Sequence, residues 1–404
     1  MNLSGNAIVG QSGGATSVIN NSLVGVIDSC LKSQGIHEIF GMNGGIQGVL
    51  KEDFYDLKAQ TRETLEGLRK TPSSALSSSR HKLKNEELPK VLEILKKYNI
   101  RYFFLIGGND TMDTVHRVEA YCQAQGYKLM GVGIPKTVDN DLYGTDHTPG
   151  FASAARYNAL SVKQAGQLAL DMRKVDQFVV FQTIGRDAGW LAAATACARQ
   201  NEGDAPHLIY CPERRFDKAA FLKDAKACLE KRGWVSVVVS EGLLYADGTP
   251  VSASTTQDNF SNTEFGAMGG ASVGLQIHRM LRESTGLRGE FQIVESLNMS
   301  AIDRATEQDL DEAYRCGQKA VEYALSGISG VMVTIERLRH QPYQVSYGKA
   351  PLNSVAVRAK SMPDHFINSS GNDVTEAALE YLKPLVGDLP TFTRLSPIFV
   401  EKKS

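Results

Sequence analysis

Residues 102–134 read YFFLIGGNDTMDTVHRVEAYCQAQGYKLMGVGI, and this stretch indicates the fold class most clearly. The apolar run Tyr102–Ile106 predicts a buried strand, and a glycine turn separates it from a helical pattern over Asp113–Ala124. A second apolar run, Lys128–Ile134, follows that helix. Strand, helix and strand in this order predict a right-handed βαβ unit of a parallel sheet.

The same alternation continues along the chain, so we predict an α/β protein with mainly parallel sheets. Such sheets place their ligand loops at the carboxyl ends of the strands, which is where the unusual residues of this sequence occur. The other predicted strands are Asn6–Val9, Gln177–Gln182, His207–Tyr210, Val235–Ser240, Glu290–Val294 and Gly330–Ile335, and the other predicted helices are Leu88–Lys97, Phe151–Asp171, Lys218–Lys231 and Leu310–Leu325.

Composition excludes several classes of function. The 404 residues carry 44 Lys and Arg against 45 Asp and Glu, which argues against a protein that mainly grips nucleic acid. No apolar run approaches the ~20 residues of a membrane-spanning helix, and the start of the sequence lacks a secretory pattern, so we expect a cytoplasmic protein. The length suits two domains of roughly 200 residues or one large α/β enzyme.

Two glycine turns follow predicted strands and precede helices. Gly13 and Gly14 lie in the first, where exposed backbone N–H groups suit a phosphate, although a simple tight turn explains the pattern equally well. The second turn contains Gly108 and Asp110. Asp110 either caps the following helix or shapes a phosphate or metal site.

The stretch Pro135-Lys136-Thr137-Val138-Asp139-Asn140-Asp141 is the most informative loop. Asp139 and Asp141 are spaced as a general base and a partner that orients charge or metal, and Lys136 supplies the countercharge that a transferring phosphoryl group needs. The alternative is a cluster of Asx turns on a solvated loop.

Arg186 and Glu241 follow two further predicted strands. Arg186 comes after a glycine and is placed to fork onto a phosphate or hydroxyl, unless it is a surface residue paired with Asp187. Glu241 is placed to accept hydrogen bonds from sugar hydroxyls, unless it is a strand-end carboxylate. Together these loops predict phosphoryl-transfer chemistry.

These motifs resemble the phosphofructokinase family, most closely its pyrophosphate-dependent branch. The resemblance includes Gln11-Ser12-Gly13-Gly14, Ser77-Ser78-Ser79-Arg80, the Pro135–Asp141 segment, Ile184-Gly185-Arg186, Ser240-Glu241-Gly242 and the stretch Met362–Phe366. It implies two similar doubly wound domains with the active site in the cleft between them. It also implies a donor domain of about residues 1–147 plus 296–345 and an acceptor domain of about 148–295 plus 346–404.

The resemblance also implies roles for individual residues. Asp139 is the general base, and Lys136, Asp141, Asp110 and Arg186 assist it. Magnesium is expected at Asn109 and Asp141. The donor set is Gly13, Gly14, Arg80, Gly108, Asp110 and Lys136, and the acceptor set is Thr137, Val138, Asp139, Ile184, Gly185, Arg186, Glu241, Ser296, Asn298, Met299, Gln177 and Arg288.

Two positions favour pyrophosphate over ATP as the donor. Relatives that use ATP carry glycine where this chain has Asp110 and Lys136. A carboxylate at Asp110 occupies and charges the space of an α-phosphate, and the ammonium of Lys136 replaces charge stabilisation otherwise lost without a nucleotide. The expected co-substrates are therefore pyrophosphate and a sugar or sugar phosphate, and the family resemblance implies a homodimer or homotetramer.

The sequence departs from the family pattern at the acceptor end. Met299 stands where an arginine normally grips the 6-phosphate of fructose 6-phosphate, and Gln177 replaces a basic residue. By the same resemblance, Arg288 is expected to contact a neighbouring subunit. Three functions stay open: a kinase of fructose 6-phosphate, a kinase of an unphosphorylated or sulfonated sugar or a polyol, and a catalytically silent regulator that binds sugar phosphates. Asn109 replaces a metal-loop aspartate, and an amide binds magnesium more weakly than a carboxylate.

Overall fold

The computed structural model describes residues 3–79, 81–252, 272–396 and 398–402. Its strands are β1 Gly5–Gln11, β2 Ile36–Met42, β3 Phe54–Asp56, β4 Ile100–Gly107, β5 Met130–Pro135, β6 Phe178–Thr183, β7 Leu208–Tyr210, β8 Val235–Ser240, β9 Gly289–Ile293, β10 Val331–Arg339 and β11 Gln344–Pro351. Its helices are α1 Ile19–Leu31, α2 Ile46–Lys51, α3 Arg62–Leu68, α4 Leu88–Lys97, α5 Asn109–Ala124, α6 Phe151–Met172, α7 Trp190–Ala194, α8 Lys218–Arg232, α9 Val273–Thr285, α10 Glu307–Leu325, α11 Leu352–Ala356 and α12 Glu376–Val386.

Within these ranges the strands form two sheets. The first has the order β11-β10-β5-β4-β1-β2-β3, and its inner strands are parallel while the end strands β3 and β11 are antiparallel to their neighbours. The second sheet has the order β7-β8-β6-β9 and is parallel throughout. The predicted α/β class with mainly parallel sheets is confirmed.

Helices cover both faces of the first sheet, because its central strands are apolar at consecutive positions. Phe103 and Phe104 are both fully buried, yet they point to opposite faces. Phe104 packs with residues of α1 and α10 such as Leu23 and Ala320, whereas Phe103 packs with residues of α4 and α5 such as Leu95.

The second sheet is covered in the same way. Phe181 joins a core built from α6, α7 and α12, and Phe178, which is also on β6, joins a core on the other face with residues of α8 and α9. Trp190 at the start of α7 packs edge-on against Phe366. It also packs, with a tilted ring, against Tyr381 of α12. The chain after β11 therefore crosses from the first sheet to the second.

The predicted domain boundary between residues 345 and 346 does not coincide with a break in the structure. That position falls inside β11, which pairs with β10 along its whole length in the first sheet. A cut through a paired strand would break a hydrogen-bonded ladder, so residues 346–351 belong with the first sheet. Elsewhere the proposed division into two domains stays a prediction.

In the described part of the chain, no helix has the length and apolar character needed to cross a bilayer.

Candidate active site

The loops at the carboxyl ends of β1, β4 and β5 meet at one edge of the first sheet. The backbone N–H of Lys136 donates to the Gly107 carbonyl, and that of Ser12 donates to the Ile106 carbonyl. These bonds extend the sheet pairing into the loops, since parallel strands end side by side. The glycine turns and the Pro135–Asp141 segment are therefore adjacent, as the sequence predicts.

Lys136 reaches into the first glycine turn. Its buried ammonium donates to the Gly14 carbonyl at 2.5 Å, and a Cβ built on Gly13 would lie 3.3 Å from Nζ. Gly13 has φ +76°, a conformation that glycine adopts without strain. Burial lowers the pKa of Lys136 to about 8, against the opposing effect of the Asp139 and Asp141 carboxylates.

Asp139 is partly buried at the centre of this charge cluster. Burial raises its pKa to about 7, and the negative charges of Asp141 and Glu241 act in the same direction. The cations Arg186 and Lys136 act in the opposite direction. A carboxylate with this pKa is suited to general-base catalysis near neutral pH.

Asp141 and Thr137 complete this loop. The Thr137 hydroxyl accepts from the backbone N–H of Asp139 at 3.1 Å, which fixes the turn leading to the base. Burial raises the pKa of Asp141, whereas the charges of Lys360 and Arg186 and a hydrogen bond with Thr137 lower it. Val138 is 5% exposed and packs in the core with residues of α6. Its side chain therefore anchors the loop to the core.

Glu241 and Arg186 come from neighbouring strands of the second sheet. Glu241 Oε1 accepts from the backbone N–H groups of Gly185 and Arg186 at 3.0 and 3.1 Å. These bonds hold Arg186 at φ +49° and Gly185 at φ +136°, an uncommon turn that leaves the Arg186 side chain exposed. Ile184, just before this turn, is partly buried. Burial raises the pKa of Glu241.

At the second glycine turn the structure excludes one of the two alternatives for Asp110, the helix cap. The helix α5 begins at Asn109, with Gly108 at its N-cap, so Asp110 lies exposed in the first helical turn and does not cap the helix. The Asn109 amide nitrogen donates to the Arg358 carbonyl at 3.4 Å, and its Oδ1 is buried without a hydrogen-bond partner.

The segment 296–299, which is predicted to contact the acceptor, lies over the first glycine turn. Ser296 is exposed, Asn298 is 2% exposed, and both polar atoms of the Asn298 amide lack hydrogen-bond partners. The Met299 methyl group approaches Gly14 so closely that a Cβ built there would lie 2.7 Å from Cε. The apolar side chain of Met299 therefore covers the first glycine turn.

Gln177 and Arg288 do not join this cluster. Gln177 precedes the first residue of β6, and its N–H donates to the Arg288 carbonyl at the start of β9. These positions lie at the amino edge of the second sheet, roughly 20 Å from the end of β6 at Thr183, at ~3.3 Å per residue. Arg288 forms an ion pair with Asp176 at 3.4 Å and is largely exposed. Arg80 lies outside the described residues.

Several residues near the site were missed by sequence reasoning. Lys360 bonds to the loop that carries Asp139, and Glu295 adds negative charge near Glu241. Asn140 adopts φ +56° between the two aspartates. Two motifs could have pointed to these residues. Asn140 lies within Pro135–Asp141, and Lys360 lies two residues before the Met362–Phe366 stretch.

Two mainly parallel sheets that gather glycine turns and opposed charges at one junction are typical of α/β enzymes that transfer phosphoryl groups. The family model for phosphofructokinase matches residues 6–324, and the chain belongs to that family. The family resemblance indicated by the Pro135–Asp141 segment is thus confirmed.

The relatives are similar over nearly their full length. A pyrophosphate–fructose 6-phosphate 1-phosphotransferase of Halomonas elongata is 38% identical over 414 residues, covering 98% of each chain. A sulfofructose kinase of Alkalicoccus urumqiensis is 30% identical over 383 residues, covering 95% of each. The crystal structure of a pyrophosphate-dependent phosphofructokinase from Nitrosospira multiformis has 37% identity and a TM-score of 0.87, covering 98% of this chain and 95% of that one.

Proposed function

We propose that this protein transfers a phosphoryl group from pyrophosphate to a sugar hydroxyl, with fructose 6-phosphate as the default acceptor and fructose 1,6-bisphosphate as the product. The observation that carries the proposal is the buried Lys136 ammonium in the glycine turn, within electrostatic reach of Asp139. A cation beside backbone N–H groups suits a bare diphosphate, and a carboxylate base suits an attacking hydroxyl.

In this mechanism Asp139 removes the proton of the acceptor hydroxyl as its oxygen attacks the near phosphorus of pyrophosphate. One P–O bond forms and the bridging P–O bond breaks, releasing orthophosphate. Lys136 stabilises the negative charge on the transferred and leaving groups, because a buried cation acts more strongly than a solvated one. Glu241 holds the Gly185–Arg186 turn and thereby orients the Arg186 side chain toward the acceptor.

Magnesium is proposed as the metal cofactor, and the oxygen atoms present fit it. Asn109 Oδ1 is buried without a partner, and Asp141 offers a carboxylate. In the parts of the chain that the structure describes, no group of three or more His, Cys, Asp or Glu side chains is arranged to hold a metal. The ion would therefore be held largely by the diphosphate, as is common for magnesium, and would neutralise phosphate charge.

A second acceptor class is favoured by the residues around Met299. Besides Arg186, the acceptor side has the carboxylates Glu241 and Glu295. A dianionic phosphate tail would lack a charge-assisted bond worth about 1.5–3 kcal/mol where Met299 replaces arginine. A sulfonated sugar, an unphosphorylated sugar or a polyol demands fewer cations.

A homo-oligomer is also part of the proposal. Gln177 and Arg288 lie at the opposite edge of the second sheet from Arg186, so any acceptor contact that they make is with the site of another copy. Cytoplasmic localisation stays a prediction.

The test is orthophosphate release from pyrophosphate with a panel of acceptors: fructose 6-phosphate, fructose, a sulfonated fructose and sugar alcohols. Turnover with pyrophosphate but not ATP supports the donor assignment, and turnover with ATP alone refutes it. A micromolar KM for fructose 6-phosphate rejects the second acceptor class. If no acceptor is turned over, the silent regulator is favoured, and binding of sugar phosphates by calorimetry then tests that function.

A further inference from the structure

The segment between α11 and the turn Asp364–Phe366 runs alongside the catalytic loop. Its residue Ala359 forms an antiparallel bridge with Leu142. The backbone N–H of Lys360 donates to the Asp141 carbonyl at 2.7 Å. Lys360 is thus fixed directly beside the loop that carries Asp139 and Asp141.

The ammonium of Lys360 uses all of its donors on that loop. It donates to Asn140 Oδ1 at 3.1 Å, to the Asp146 carbonyl at 2.5 Å and to the Thr145 carbonyl at 3.3 Å. Its Nζ also lies 5.0 Å from the ring centroid of Trp190, close enough for a cation–π interaction. One side chain therefore joins both ends of the segment 140–146 and also contacts Trp190 at the start of α7.

The turn that Lys360 holds is uncommon. Asn140 is fully buried and has φ +56°. Residues other than glycine adopt this left-handed conformation at a cost. The side chain of Asn140 is fixed on both sides, because Oδ1 accepts from Lys360 and Nδ2 donates to the Tyr381 hydroxyl at 3.2 Å. That hydroxyl in turn donates to the Asp146 carbonyl at 2.8 Å. Since Asn140 lies between the aspartates, its conformation sets the directions of both carboxylates.

We propose that Lys360 is a positioning residue for the phosphoryl transfer proposed above: it locks the left-handed turn at Asn140 so that Asp139 and Asp141 face the substrates. The inference rests on the proposed function. It assigns a role to the C-terminal part of the chain, which none of the predicted site residues covers.

The test compares Lys360→Met and Lys360→Arg with the unmodified enzyme, and uses the exposed lysine of α12 in Lys383→Met as a matched control. Lys360→Met should lower kcat roughly 10- to 100-fold, the loss of one charge-assisted contact, with KM for pyrophosphate changed less than about threefold. Lys360→Arg should retain more activity than Lys360→Met, and Lys383→Met should match the unmodified enzyme.

Two further measurements keep the inference refutable if Lys360→Met folds poorly. Tyr381→Phe removes the hydroxyl that holds Asn140, and it should lower kcat about three- to tenfold. Lys360→Ala should regain activity when ethylammonium is added. An unchanged kcat in folded Lys360→Met, or full activity in Tyr381→Phe together with no amine rescue, overturns the inference. If the unmodified enzyme shows no pyrophosphate turnover, the proposed function fails first and the positioning role fails with it.

Discussion

The substitution Lys136→Met tests the donor site most directly. In the unmodified enzyme kcat/KM should follow a bell-shaped pH profile. Asp139, with a pKa raised to about 7, must be ionised, so activity rises as pH increases through that value. Lys136, with a pKa lowered to about 8, must be protonated, so activity falls as pH increases further.

Methionine removes the ammonium and keeps a side chain of similar length. Loss of one preorganised, buried donor to the transferring group costs about 2.7–4 kcal/mol, so kcat/KM for pyrophosphate should fall roughly 10²- to 10³-fold. The limb near pH 8 should disappear because its titrating group is gone. The limb near pH 7 should move upward, since Lys136 is one of the two cations that lower the pKa of Asp139.

The assay is orthophosphate release measured between about pH 5.5 and 9.5, with thermal unfolding as a check on folding. Lys136→Arg is the matched control, because it retains the charge and moves the basic limb out of the measured range while the acid limb stays near 7. A Lys136→Met enzyme that loses less than about fivefold in kcat/KM, or that retains both limbs, would refute this assignment.

Three other substitutions test the base, its electrostatic environment and the packing of the first sheet. Asp139→Asn should lower kcat about 10²- to 10⁴-fold at saturating substrates, and a loss of less than tenfold argues for another base. Glu241→Gln removes a negative charge that raises the pKa of Asp139, so the acid limb should move below pH 7, and a limb that stays in place or rises contradicts the charge assignment. Gly25→Ala places a Cβ 2.1 Å from the Tyr314 carbonyl oxygen on α10 and should lower the free energy of unfolding by about 1–3 kcal/mol in denaturant titrations. Gly67→Ala, which has open space in α3, is its control and should be neutral or stabilising.

The sequence predicted the central strands well because burial on both faces makes them apolar at consecutive positions. β8 and α4 have the predicted bounds, Val235–Ser240 and Leu88–Lys97. The strands β2, β3 and β11 were missed. β2 carries His37 and Glu38, β3 has only three residues, and β11 is a half-exposed end strand, so none of the three presents a continuous apolar run.

The donor half of the site was predictable for a topological reason. Glycine turns and charges that follow parallel strands must meet at the carboxyl edge, so the adjacency of Gly14, Lys136 and Asp139 followed from local patterns. Lys360 was missed because it reaches this edge by crossing between the sheets after β11. The helical start of α5 at Asn109 was also missed, because a glycine N-cap gives no side-chain signal.

The two halves of the site are coupled through Asp139. Lys136, from the first sheet, and Arg186, from the second, both lower the pKa of this base, while Glu241 raises it. A dianionic acceptor bound without an arginine at position 299 would raise the pKa of Asp139 above about 7 and leave less of the base ionised at neutral pH. An acceptor with a weaker or no anionic group would disturb the base less. If Met299 stands at the acceptor anion, as the family resemblance implies, a less charged acceptor is more compatible with efficient catalysis, which is the reason to include sulfonated and neutral sugars beside fructose 6-phosphate in the acceptor panel.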